Sequence, residues 1–295
     1  MKIKALFFAT FLIFSIVSSG AKNPLHADSI RKGRVVLVSS SLAIALGVSY
    51  YYVENAWWNQ NQVAFHFDDG SDKVYALNVD KAGHFLGGLH AADLFTSSML
   101  WAGMNEKKAL WYGGVFGSAL QLVIEVKDGY APYWGFSKND LMIGSLGAFL
   151  PIAKYYCPEL KAFDVKFSYW KRHNTYWDLE NQRGKTAHKY AWQDDYVNQT
   201  YWLSIDINRF YERFPDWLNI GIGFGLDETQ YLNTNNTKIG GNNEWYIAFD
   251  YDLKKMFKKH NSPLAKKVKH WLNYFHFPSP TIRISPKVDF YPLFL

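Results

Sequence analysis

Hydrophobic and polar positions follow two rhythms along this chain. From Arg34 to about Leu160, weakly charged stretches rich in Gly and Ala carry apolar residues at helical spacing. Beyond that point apolar residues alternate with polar ones. The first rhythm predicts helices over 35–53, 80–104, 106–127 and 137–156, with Pro151 kinking or shortening the last. The stretch from Val35 to Val53 is uncharged for 19 residues, long enough to cross a bilayer. Its serine and tyrosine triplets, Ser39–Ser41 and Tyr50–Tyr52, suit a buried bundle helix equally.

The second rhythm predicts strands. Phe163, Val165, Phe167 and Tyr169 form one apolar face, and Tyr201, Leu203, Ile205 and Ile207 another. Leu218 to Leu226 and Trp245 to Leu253 behave likewise, and a last alternating segment runs from Thr281 to Leu295. Opposite the greasy face of the third strand lie Asn219, Gly221, Gly223, Gly225 and Asp227, a small, polar set with room for side chains, water or a ligand. Five strands are too few to close a lipid-facing barrel, so a partial sheet is expected. The fold class is therefore α+β: a Gly-rich helical bundle of about four helices followed by an antiparallel sheet of about five strands. A short basic amphipathic helix interrupts the sheet region from Pro263 to about Phe275, with Lys266, Lys267 and Lys269 beside Val268, Trp271 and Leu272. Lying on anionic headgroups and standing as a solvated surface helix are both open to it.

Small residues recur at helical spacing: Gly83 and Gly87, Ala91, Gly113 and Gly117, Gly144 and Ala148. Such rows let helix backbones approach closely. Residues 1–21 read as a signal peptide, with a basic start, an apolar run from Ala5 to Val17 and small residues at Ser19–Ala21, an uncleaved anchor helix being the alternative although the run is shorter than the ~20 residues of a span. The expected domains are thus 1–21, a helical domain over 22–160 and a β region over 161–295. Aromatic residues reach 18% against 20% charged, a balance suited to a wet/apolar boundary. The formal net charge of +6 comes without the concentrated basic runs of a nucleic-acid binder, so nucleic acid is excluded as a partner. Cys157 is the only cysteine, so no internal disulfide forms, and it is expected to be a small buried hydrophobe. Together these features predict an exported, membrane-associated protein of the periplasm or outer membrane, with membrane lipid or other envelope components as partners.

The most pointed string is Asp80-Lys81-Ala82-Gly83-His84-Phe85. Asp80 and His84 stand one helical turn apart on one face, so the carboxylate can orient or charge the imidazole. Helix capping by Asp80 and a hydrogen-bonded core role for His84 are the plain alternatives. His90 lies round the helix and is a secondary candidate, and Asp93 points nearly the other way and is left out. Gln121, Glu125 and Asp128 follow at spacings i, i+4 and i+7 near the end of an apolar helix. A buried Glu125 needs a partner such as His84, Lys81 or Lys127, unless the helix simply ends there. Ser137 and Asp140 have the S-x-x-D spacing of a helix start, with Ser137 as cap and Asp140 free to face its neighbours as well. Asp80, His84, Glu125 and Asp140 are thus the catalytic candidates, and Lys81, Gln121 and Asp128 the ligand-binding ones. A histidine among carboxylates suits a divalent cation, yet HxxxH, HExxH and CxxC spacings are absent, so metal and cofactor are not assigned. GxSxG, P-loop and dinucleotide fingerprints are absent too.

Several strings together resemble a known family. They are Phe65-His66-Phe67, Asp80 to Phe85, Glu106 to Gly114, Glu125 to Gly129, Trp134 to Asp140 and Gln199 to Ser204. In combination they look like the YfiM-like family, a domain of unknown function labelled predicted periplasmic lipoproteins, from about residue 55 to the C-terminus. The resemblance implies an envelope location and brings no biochemical activity. A weaker similarity to VanZ-like membrane proteins places Asp80, Lys81, His84, Glu125 and Asp140 at matching positions. The chain departs from the lipoprotein label in having no lipobox cysteine after the signal region. Two functions are weighed: an envelope protein with a structural or binding role, and an envelope enzyme or ligand- or metal-binding protein using the His/carboxylate cluster.

Overall fold

The computed structural model describes residues 29–56, 62–70, 73, 76–132, 134–174, 195–227, 229 and 241–295. The expected signal peptide lies outside the described residues. The fold is α+β, with helices first and an antiparallel sheet after them. Two compact units divide it: a helical one holding residues up to 67 with 84–156 and 262–267, and a sheet unit holding 68–83, 157–261 and 268–295.

The long helices are α1 (Lys32–Ala56), α2 (Val79–Trp101), α3 (Glu106–Asp128) and α4 (Lys138–Tyr156). Asn105 opens α3 by accepting a hydrogen bond from Lys107 N, which satisfies one of the amides a helix start leaves over. Pro151 does not end α4, which continues to Tyr156. Val38 and Leu42 of α1 pack with Met99, Trp101 and Ala109, and Phe95 stacks on Phe116 beside them.

Around the polar interior of this unit the helices touch through glycines. A Cβ on Gly117 would meet the carbonyl oxygen of Gly88 at 2.7 Å, and one on Gly144 would meet the Gln121 side chain at 2.7 Å. Only the missing side chains allow these approaches. The outer surfaces are apolar instead: Val36 and Ile44 on α1, Trp111, Val115 and Val123 on α3, and Met142 and Leu146 on α4 are exposed. Among the described residues, α1 over Lys32–Tyr51 and α3 are long and apolar enough to cross a membrane.

The sheet is a six-stranded antiparallel meander of β1 (Phe163–Tyr169), β2 (Gln199–Ile205), β3 (Leu218–Leu226), β4 (Asn243–Tyr251), β5 (Ser279–Ser285) and β6 (Asp289–Phe294), hydrogen-bonded in that order. The sixth strand arises because the chain reverses after Ser285, so the last predicted segment folds into a hairpin with Ile282 opposite Phe290. Between β4 and β5 comes the basic amphipathic helix α5 (Pro263–Leu272).

The sheet carries charged and polar residues on its buried face and apolar ones on its exposed face. In β4, Glu244, Tyr246, Ala248 and Asp250 are buried, while Trp245, Ile247 and Phe249 are 42–44% exposed. The buried face holds Trp202, Tyr246, Ala248 and Phe294 as its apolar centre. Gly221 and Gly223 leave room here for a side chain, since the Trp202 indole lies where a Cβ on Gly223 would come within 2.7 Å of it.

Candidate functional site

The helical unit gathers three ionisable side chains from three helices. His84 comes from the second turn of α2, Glu125 from the last turn of α3 and Asp140 from the first turn of α4. One potential ligand atom from each lies within 4.8 Å of the others. The placement follows from local structure. Ser137 caps α4 by accepting from the amide of Asp140 at 3.2 Å, while its own amide donates to Glu125 Oε2 at 2.9 Å. The start of α4 is therefore fastened to the end of α3, which brings the two carboxylates together.

Glu125 is only 2% exposed. Its second oxygen, Oε1, receives no hydrogen bond among the described residues and lies 3.5 Å from His84 Nδ1. His84 Nδ1 also lies 2.9 Å from Gln121 Oε1, one turn earlier on α3. Burial pushes the pKa of Glu125 up to about 8, against the opposing pull of His84 and the Ser137 amide, and the negative charges of Asp128 and Asp140 add to the rise. The His84 side chain, 21% exposed, connects the cluster to solvent.

Gln121 is buried against His84, and Asp128 closes α3 at moderate exposure, felt by Glu125 through its charge. Asp80 and Lys81 are buried in the sheet unit and pair with each other at 3.4 Å. Lys127, considered as a partner for Glu125, pairs instead with Glu54 at 2.8 Å. Asp93 accepts from Ser97 on its own helix. The expectation of a buried Cys157 is corrected: it is exposed in the turn after α4, where its thiol donates to Glu159. The Ser137 amide bond to Glu125 left no mark in the sequence beyond the capping pattern.

A second polar cluster lies inside the sheet. Asp250 accepts from His276 Nδ1 at 3.0 Å, from Ser204 at 2.5 Å and from Lys166 at 2.6 Å. His276 stacks on Trp202 at 3.9 Å, and its Nε2 lies 3.4 Å from Ser279 Oγ. Ser279, His276 and Asp250 thus align in the order of a nucleophile, base and orienting acid. All three are fully buried, and the Ser279 hydroxyl donates to Phe249 O at 2.6 Å. With the hydroxyl committed to a backbone acceptor and no solvent-exposed side, this network holds the sheet together. Glu244 anchors a further group, accepting from Arg283, Arg172 and Tyr246.

The segment from the polar connection before α2 to the end of α4 carries the whole His/Glu/Asp cluster. Residues 66–155 match the family model described as predicted periplasmic lipoprotein (DUF2279). The match supports export of the chain to the cell envelope. It includes His84, Glu125 and Asp140 and stops before the sheet. No curated protein and no solved structure matches the chain.

Proposed function

We propose that this is an exported, membrane-associated envelope protein, of the YfiM-like kind, whose helical unit binds a divalent cation through His84, Glu125 and Asp140. The observation that carries the reading is the convergence of one potential ligand atom each from His84, Glu125 and Asp140, on three helices, beside a Glu125 oxygen, Oε1, that receives no hydrogen bond among the described residues. A buried carboxylate oxygen in that state is costly unless something positive or protonated meets it. One imidazole nitrogen with two carboxylate oxygens suits Zn²⁺ or Mn²⁺, and three protein donors leave coordination positions open for water or substrate. The exposed apolar residues on α1, α3 and α4 support membrane association. The same cluster supports a second reading, an envelope enzyme, through one observation: Glu125 Oε1 lies 3.5 Å from Nδ1 of the partly exposed His84, so a proton that burial favours on Glu125 can be exchanged with an imidazole in reach of solvent.

Calorimetric titration of Zn²⁺ or Mn²⁺ into metal-stripped protein tests the cation reading. One site is expected, and Glu125→Gln or His84→Ala each weakens it by at least the ~10–100-fold that loss of a supporting partner costs at metal sites. Asp93→Asn leaves it unchanged. Equal affinity across all variants, or no binding by the wild-type chain, contradicts the proposal.

A further inference from the structure

We propose that the outward face of the six-stranded sheet is a lipid-contact surface, set into the acyl layer of an anionic bilayer with α5 and the lysines before it at the headgroups. The inference deepens the membrane-association part of the proposed function and is independent of the cation site.

Four observations carry it. The charged and polar residues of the sheet lie on its buried face, with Lys166, Ser204, Glu244 and Asp250 satisfied inside around the apolar centre. The exposed face is apolar on successive strands, through Leu203, Ile222, Ile247, Phe249, Ile282 and Phe290. Such a contiguous apolar surface on a folded unit marks an interaction site.

Second, aromatic pairs close this face at both ends. Phe224 packs on Trp245 at 4.8 Å at one end of the β3–β4 pair, and Trp217 stacks on Tyr251 at 6.3 Å at the other. Between them lie Ile220, Ile222, Ile247 and Phe249. Trp245 and Tyr251 are six residues apart on a strand, about 20 Å, so the rings bound an apolar stretch of that length on the open sheet. Aromatic rings with polar tips prefer the boundary between acyl chains and water.

Third, charge is placed to match. The chain leaves β4 at the Trp217–Tyr251 end into a segment with seven lysines and no acidic residue from Leu253 to Trp271. Lys254, Lys259 and Lys266 in it are exposed. Asn273 Oδ1 accepts from Leu253 N at 2.9 Å, which holds the end of α5 to the same end of the strand.

Fourth, α5 leaves its own apolar stripe uncovered. Leu264, Val268 and Leu272, spaced four apart on one side, are all exposed, as is Phe275 just beyond. A surface helix of a soluble protein turns such a stripe inward, whereas an interfacial helix presses it into the acyl boundary with its lysines at anionic headgroups.

The test uses the full chain, purified in detergent and diluted into vesicles of phosphatidylcholine, with or without phosphatidylglycerol. A bimane probe is attached through Ile247→Cys or, as a shallow control, Lys254→Cys, in a Cys157→Ser background, and part of the lipid carries brominated acyl chains. Binding is expected to need phosphatidylglycerol, with strong quenching at position 247 and weak quenching at 254. Ile247→Asn and Ile282→Asn each lower partitioning roughly fivefold, from the apolar area they remove, at unchanged Tm. Vesicle-bound protein whose probe at position 247 escapes bromine overturns the sheet proposal and leaves membrane association standing. A chain that binds no vesicle overturns both. Disulfide crosslinking of two chains through Ile247→Cys assigns the face to a second copy and also overturns it.

Discussion

Asp250→Asn is expected to destabilise the sheet unit by about 3–5 kcal/mol, the cost of breaking a buried ion pair by removing one partner. Asp250 and Lys166 lie 2.6 Å apart with no exposed surface on either side chain to speak of, and the same carboxylate holds His276 and Ser204. An amide there leaves the Lys166 ammonium without its counter-charge in the interior. Lys166→Met combined with Asp250→Asn removes both charges and should recover much of the loss, because a neutral pair no longer carries the desolvation cost. Chemical denaturation of the single and double variants measures the coupling. A loss below about 1 kcal/mol for Asp250→Asn would place the pair in a solvated setting and contradict the buried network.

The second large effect is a pH dependence seated in Glu125. With its folded pKa raised to about 8 from an ordinary 4.5, the native protein keeps a proton that the unfolded chain gives up. Stability from this group is fully present below about pH 4.5 and is lost as pH rises towards 8, beyond which no further loss follows. The difference is on the order of 5 kcal/mol for one buried carboxyl. In the presence of a chelator, Tm of the wild-type chain should therefore fall between pH 5 and pH 8.5, and Glu125→Gln, which stays neutral throughout, should flatten the slope. Equal slopes for the two chains would show that Glu125 is ionised and solvated. A bound cation replaces the proton, so adding Zn²⁺ should restore Tm at the alkaline end.

Much of this architecture is legible in the residues themselves. The uncharged run after Arg34, the apolar periodicity from Glu106 and the S-x-x-D string before α4 mark helices close to where they stand. The alternation at Phe163–Tyr169 and Leu218–Leu226 coincides with β1 and β3. A period of two shows that a strand has a greasy side but carries no sign for which side is buried. The orientation in this sheet depends on partners distant in sequence, such as Lys166 for Asp250 and Arg172 and Arg283 for Glu244. The reversal after Ser285 was hidden because both of its arms alternate in the same way.

At the candidate site, helical spacing relates Asp80 to His84 and Gln121 to Glu125, but only within one helix. That Glu125 meets the first turn of α4 rests on a backbone amide, that of Ser137, which has no residue-specific signature. Asp80 and Lys81 attract notice by type and spacing, yet they are matched to each other in the sheet unit. The glycines are more informative, since Gly117 and Gly144 lie where α2, α3 and α4 come close, although the α2 backbone makes its approach at Gly88, next to the Gly87 that helical spacing singles out.

The central claim is that His84, Glu125 and Asp140 jointly hold a divalent cation. Anomalous diffraction at the zinc edge from crystals of the wild-type chain grown with Zn²⁺ tests it most directly. A single buried peak is expected about 2.0–2.2 Å from one nitrogen of His84 and one oxygen each of Glu125 and Asp140, absent in Glu125→Gln. A fully loaded crystal with its peaks only on surface histidines, and none between the three helices, would contradict it.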